Sequence, residues 1–143
     1  MKFETILASV LLAGLTSTGT STGKHDLEID IANIKNTKGT VAVGIYNSEH
    51  GFLTKGKEFK TKTIKVSGST VHCEFTDLPD GKYAVAVFHD ENSDKKFNTN
   101  MLGLPKEAYG FSNNFKPVIS KPKFSDTEFT LNSDKKITIK LIH

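Results

Sequence analysis

The sequence predicts an all-β protein, an antiparallel β-sandwich of about seven strands. Three observations carry that reading. Apolar and polar residues alternate at period two in segment after segment. The segments are separated mostly by short turns rich in Gly, Asp, Asn and Ser. Beyond the N-terminal segment, no stretch of useful length shows the 3.6-residue period of an amphipathic helix.

The N-terminal "MKFETILASVLLAGL" places Lys2 ahead of an apolar run from Ile6 to Leu15, and the small residues "TSTGTSTG" follow. This three-part pattern predicts a secretory signal peptide over residues 1–23, cleaved after Gly19 or Gly23, although Glu4 is unusual in such a leader. The apolar run is too short to span a bilayer core of about 30 Å. No Cys lies just after it, so anchoring through a lipidated N-terminal Cys is not expected. The expectation is an exported protein, periplasmic or secreted, with no transmembrane segment after cleavage and one β-sandwich domain over residues 24–143.

The strands follow in order. "DLEIDIANI" alternates through Leu27, Ile29 and Ile31, and "TVAVGIYN" through Val41, Val43 and Ile45. "KTIKVSG" and "STVHCEF" read as a hairpin across Ser67-Gly68. "KYAVAVFH" is apolar on both faces, as a central strand requires. "TEFTLN" and "KKITIKLIH" alternate through Phe129, Leu131, Ile137, Ile139 and Leu141, with "SDK" turning between them. Leu27, Ile29, Val43, Val85, Phe129 and Ile139 are expected in the core.

Composition excludes several function classes. Of 143 residues, 36% are hydrophobic and 24% charged, as in an ordinary globular domain. The formal charge of +3 comes from lysines spread along the chain, which is too weak and diffuse for a nucleic-acid footprint. Cys73 is the one cysteine, so no intrachain disulfide forms, and alternation puts it on the inner face with Val71 and Phe75. No zinc spacing, nucleotide cradle or nucleophile elbow occurs, so a non-enzymatic protein is expected.

One turn links two strands as Leu78-Pro79-Asp80-Gly81-Lys82-Tyr83. Pro79 fixes φ and Gly81 frees it. This Leu-Pro-x-Gly-x-Tyr turn resembles that of transthyretin-like and collagen-adhesin-like sandwich modules, and implies a transthyretin-like or immunoglobulin-like sandwich. The longer stretch "LPDGKYAVAVFHDENSDKKFNTNMLGLPKEAYGFSNN", taken with "GTVAVGIYNSEHGFLTK", resembles the bacterial domain of unknown function 2141 family. The resemblance extends from about Leu27 to His143 and is most specific from Phe88 to Asn114. It implies export and a β-sandwich and assigns no activity. The chain departs from that family's usual acidic loop at Asn98, where Asp is more usual.

Function-bearing residues concentrate after "YAVAVF". Asp90, Asn92, Asp94 and Asn98 stand at positions 1, 3, 5 and 9 of a loop, with the Lys96 carbonyl at position 7. This oxygen-rich spacing makes them candidate Ca²⁺ ligands. Lys95 and Met101 replace the Gly and Glu that an EF-hand requires, so that motif is excluded. The competing reading is a turn whose Asx side chains bond their own backbone. From Met101 to Lys123 no strand or helix period appears, and three of the four prolines lie there. Glu107, Tyr109, Phe111, Asn113 and Asn114 form a candidate ligand-binding group within it, suited to a sugar or peptide, unless the aromatics cap one end of the sandwich. A reading of a different class is a small hydrolase or metal-dependent enzyme built on His89, Asp90 and Glu107.

Overall fold

The computed structural model describes residues 22–143, and the expected signal peptide lies outside them apart from Thr22 and Gly23. Eight strands run in the order β1 (Lys24–Ala32), β2 (Thr40–Tyr46), β3 (Lys60–Lys65), β4 (Val71–Pro79), β5 (Gly81–Asp90), β6 (Tyr109–Phe111), β7 (Phe129–Leu131) and β8 (Lys135–Lys140). A 3₁₀ turn (Ser112–Asn114) and one short helix, α1 (Phe124–Thr127), complete the elements. The smaller sheet has the order β4-β1-β8. The larger has β3-β2-β5, with β6 and β7 both on the far side of β5.

The two sheets face each other as the alternation predicts. Leu27, Ile29 and Ile31 of β1 and Val71, Cys73 and Phe75 of β4 pack against Val41, Val43 and Ile45 of β2 and Val85 and Val87 of β5. Of the six expected core residues, five are buried, and Phe129 packs half-buried at the margin. Burial pushes the Cys73 thiol up to about 11, which leaves it protonated and inert at neutral pH. A second apolar cluster lies around Tyr46, Ala84 and Phe124, where Phe52 stands edge-on to both Tyr46 and Phe124.

Pairing differs from the sequence expectation in three places. The segments around Ser67-Gly68 do not form a hairpin: β3 pairs with β2, and β4 pairs with β1 in the other sheet. Alternation tells which face of a strand is buried but not which strand lies beside it, so two inward-facing neighbours in sequence can belong to opposite sheets. For the same reason β7 and β8 separate across Ser133-Asp134, β7 onto β5 and β8 onto β1. The β1–β8 pair is parallel, the one departure from an antiparallel arrangement among the strand pairs described.

Lysines close the seam between the sheets where β3 and β4 run as outer strands. Lys60 Nζ donates to the Thr76 carbonyl at 3.1 Å, and Lys62 Nζ donates to the Glu74 carbonyl. These ammonium groups occupy backbone acceptors that an edge strand would otherwise offer to another chain.

The turn at Leu78–Gly81 is a corner that carries the chain from the smaller sheet to the larger. The buried Tyr83 hydroxyl donates to the Pro79 carbonyl at 2.7 Å and fastens it. From there β5 runs through the centre of the larger sheet and delivers His89 and Asp90 to its far end.

Candidate functional site

The site grows from the pairing of β5 with β6. Ala86 faces Phe111 and Phe88 faces Tyr109, and the His89 N–H donates to the Ala108 carbonyl at 2.8 Å. Continuing that register places Glu107 beside Asp90. Strand β6 lies inside the segment read from sequence as lacking a period, which is why the approach of these carboxylates was invisible there. Three residues leave too little alternation to register.

Carboxylate oxygens of Asp90, Asp94 and Glu107 all lie within 4.8 Å of one another. Asp90 and Glu107 are 2% and 8% exposed, whereas Asp94 is exposed. Asp90 accepts the N–H groups of Asp94 at 3.2 Å and Lys95 at 2.9 Å, so one carboxylate folds the loop over itself. Ser93 and Lys95 are held at φ 56° and 60°, in the left-handed region that non-glycine residues adopt at a cost. Asp94 accepts from the Asn98 side-chain amide at 3.0 Å and from the Lys96 N–H at 2.9 Å, and these bonds hold its carboxyl below the usual range. Glu107 accepts from the Asn98 N–H at 3.0 Å and the Asn98 side-chain amide at 3.2 Å.

Asn98 is therefore the centre of the arrangement. Its Nδ2 stands between Asp94 and Glu107 and donates to both. Asn92 likewise directs its amide nitrogen at Asp94 Oδ2, 3.3 Å away. Rotating either amide about its last bond exchanges donor for oxygen and adds a hard ligand to the carboxylate set. For Lys96 the observed contact is its N–H on Asp94 rather than its carbonyl. Of the residues predicted to gather an ion, Asp90 and Asp94 thus come together with the two Asn side chains, and Glu107 joins them.

Gly39 supports the site from β2's side. Its φ is +63°, and a Cβ there would lie 1.9 Å from the Asp90 carbonyl oxygen. Only a glycine admits so close an approach of two backbones.

The other predicted residues disperse. His89 is 1% exposed, and its Nε2 lies 2.6 Å from the Lys38 carbonyl, with Nδ1 3.8 Å from Glu91 Oε1. Its ring is thus engaged away from Glu107. Tyr109 and Phe111 form an edge-to-face series with Phe97 and Phe88, with centroids 5.5 to 5.9 Å apart, and this lays the loop onto the sheet. Asn113 donates to the Glu128 carbonyl at 2.9 Å. Asn114 donates to the Thr138 carbonyl at 3.0 Å and accepts the Lys140 N–H at 2.8 Å, bridging to β8. These contacts place the two asparagines in the frame rather than beside the carboxylates.

Ser112 was missed as a key residue. Its hydroxyl, 0% exposed, accepts the Val85 N–H at 2.9 Å and donates to the Thr127 carbonyl at 2.5 Å. It fills the gap on β5 between the stretches paired with β6 and β7. No sequence signal distinguishes it from the other serines.

Beyond the carboxylates the chain makes a narrow turn. Thr99 bridges to Pro105, and Asn100 Oδ1 accepts the N–H groups of Leu102 at 2.9 Å and Leu104 at 3.0 Å. Between this turn and the carboxylates lies an open depression of about 340 Å³ lined by Glu91, Asn92, Asn98, Thr99, Lys106 and Glu107.

Fold and site define a small β-sandwich whose polar chemistry gathers in the loop leaving its central strand. The chain belongs to a bacterial family described as uncharacterized protein conserved in bacteria (DUF2141), whose model matches residues 29–140. No protein of curated function matches the sequence. Among solved structures, the chain is similar to a fimbrial assembly protein from Parabacteroides distasonis, at 13% identity and a TM-score of 0.42. The similarity covers 85% of this chain and 54% of that one, so the chain spans about half the length of that protein. No helix among the described residues is long and apolar enough to cross a membrane.

Proposed function

We propose that this is an exported, non-enzymatic binding module whose loop region, residues 89–123, engages a partner, with a weak Ca²⁺ site at its root. One observation carries the reading: three carboxylates within 4.8 Å, two of them almost fully buried. Like charges at that separation repel, and burial strengthens the repulsion. Neutral N–H donors offset part of it. A divalent cation offsets more, and the hard oxygen donors of carboxylates and rotated amides suit Ca²⁺. Asp90, Asp94 and Glu107 supply the charge, and Asn92 and Asn98 the neutral oxygens.

Export rests on the N-terminal signal pattern. The non-enzymatic reading is supported by the burial of His89, the one imidazole next to the cluster in sequence, which is 1% exposed and bonded through Nε2 to the Lys38 carbonyl. A general base needs a ring nitrogen that substrate or its water can reach.

Isothermal titration calorimetry with Ca²⁺, compared with Mg²⁺, tests the proposal. Expected is one Ca²⁺ site with Kd on the order of 10⁻⁴ to 10⁻³ M, and weaker Mg²⁺ binding because Mg²⁺ demands stricter octahedral geometry. Asp90→Asn and Glu107→Gln should each abolish it. An absence of calcium binding at millimolar concentration refutes the cation site.

A further inference from the structure

We infer that the Asn98 side-chain amide is the acidic loop's internal substitute for a cation: it holds residues 91–98 closed on Glu107 without a metal, and it must turn away for a cation to enter. The second half concerns regulation of the cation site and rests on that reading; the first half stands apart from it. The amide nitrogen has two hydrogens and spends one on each neighbouring carboxylate, Asp94 Oδ2 at 3.0 Å and Glu107 Oε1 at 3.2 Å. The Asn98 backbone N–H adds a third bond, to Glu107 Oε2 at 3.0 Å, and its carbonyl accepts the Lys106 N–H at 2.9 Å. One half-buried residue thus joins the loop to the chain entering β6 through both carboxylates.

Among the described residues, no ammonium or imidazole forms an ion pair with Asp90, Asp94 or Glu107. The repulsion of the three carboxylates is therefore offset by N–H groups, and Asn98 is the one side chain that donates to two of them. Hydrogen bonds to a charged acceptor are roughly twice as strong as neutral ones. Without the amide, the exposed Asp94 would lower its energy by swinging into water, away from the buried pair. Ca²⁺ at about 2.3–2.6 Å from the same oxygens would face the amide hydrogens, so the amide has to rotate and present Oδ1 instead. Each ion that enters breaks two bonds already made. That competition keeps affinity low and leaves the loop shaped when the ion departs.

The test is amide hydrogen exchange followed by NMR, in EDTA and in millimolar calcium. The N–H groups of Asp94, Lys95 and Asn98 bond to carboxylates and report the closed loop, while those of β5 report the intact sandwich. In the wild-type protein the loop amides should be protected in EDTA and change little with calcium. Asn98→Asp removes both side-chain donor bonds and adds a fourth carboxylate. Its loop amides should exchange roughly tenfold faster in EDTA, with β5 exchange unchanged. Calcium should restore the protection, with an affinity roughly tenfold above wild type because the ligand charge has risen. Asn98→Ala should open the loop in EDTA as well, without the gain in affinity. An opened Asn98→Asp loop that calcium fails to close retains the amide's role and removes the cation site. Wild-type loop amides protected only in calcium, or Asn98→Asp amides as protected in EDTA as wild type, overturn the proposal.

Discussion

Ser112→Ala tests how the segment after β6 is tied to the sandwich. The hydroxyl is 0% exposed and joins the Val85 N–H at 2.9 Å to the Thr127 carbonyl at 2.5 Å. Alanine removes acceptor and donor together, and burial keeps water from replacing them. An orphaned buried N–H costs about 1–3 kcal/mol, and the carbonyl adds about 1 kcal/mol, so the expected loss is about 2–4 kcal/mol. A domain of about 120 residues has a total stability of roughly 6–18 kcal/mol, so the loss is a large fraction. At roughly 4 °C per kcal/mol, melting should fall by about 8–16 °C. Urea unfolding should show the same loss through a lower midpoint at unchanged slope. The exposed Ser48, whose hydroxyl reaches the His50 carbonyl, provides a control that should change by less than about 0.5 kcal/mol. If Ser112→Ala also falls within that range, the account of β5's bonding between β6 and β7 is wrong.

Other perturbations have equally definite outcomes. Gly39→Ala should destabilise the protein by more than about 2 kcal/mol, because left-handed strain adds to a backbone collision with Asp90; chemical denaturation reads it. Lys95→Gly should leave melting unchanged or raise it, since φ 60° no longer costs about 1 kcal/mol, and calcium binding by calorimetry should persist or tighten. The bond from His72 and the adjacent Lys136 ammonium hold Asp30 below the ordinary 3.8. Its folded value is the lower one, so its stabilising contribution is fully present above about pH 4 and is lost as pH falls from there through the lower, folded value. Asp30→Asn should therefore flatten stability against pH on the acid side, read by urea unfolding at a series of acid pH values.

The long strands were legible because period-two alternation maps directly onto burial. In β4, Val71, Cys73 and Phe75 are buried while His72 and Glu74 are exposed. Partner choice was not legible. Nothing in "KVSGST" says that β3 and β4 part company, since either sheet accepts the same inward face. The acidic loop was legible in part: Asp90 and Asp94 were read from local spacing, but Glu107 reaches them only through the three-residue β6. Asn113 and Asn114, read as ligand contacts, bond to backbone groups, where amide side chains also serve well. The surface position of Met101, Leu102 and Leu104 had no sequence signature, because an apolar run looks alike whether it packs inward or projects.

Thermal melting in EDTA and in about 10 mM calcium tests the central claim most directly, that Asp90, Asp94 and Glu107 together hold a cation. With Kd on the order of 10⁻⁴ to 10⁻³ M, that calcium concentration stabilises the folded state by about 1.4–2.7 kcal/mol. The melting temperature should then rise by about 5–11 °C. Glu107→Gln, which keeps the shape and removes one charge, should abolish the rise, as should Asp90→Asn. An unchanged wild-type melting temperature, or an equal rise in Glu107→Gln, would contradict the account and leave the loop as a turn held by its own hydrogen bonds.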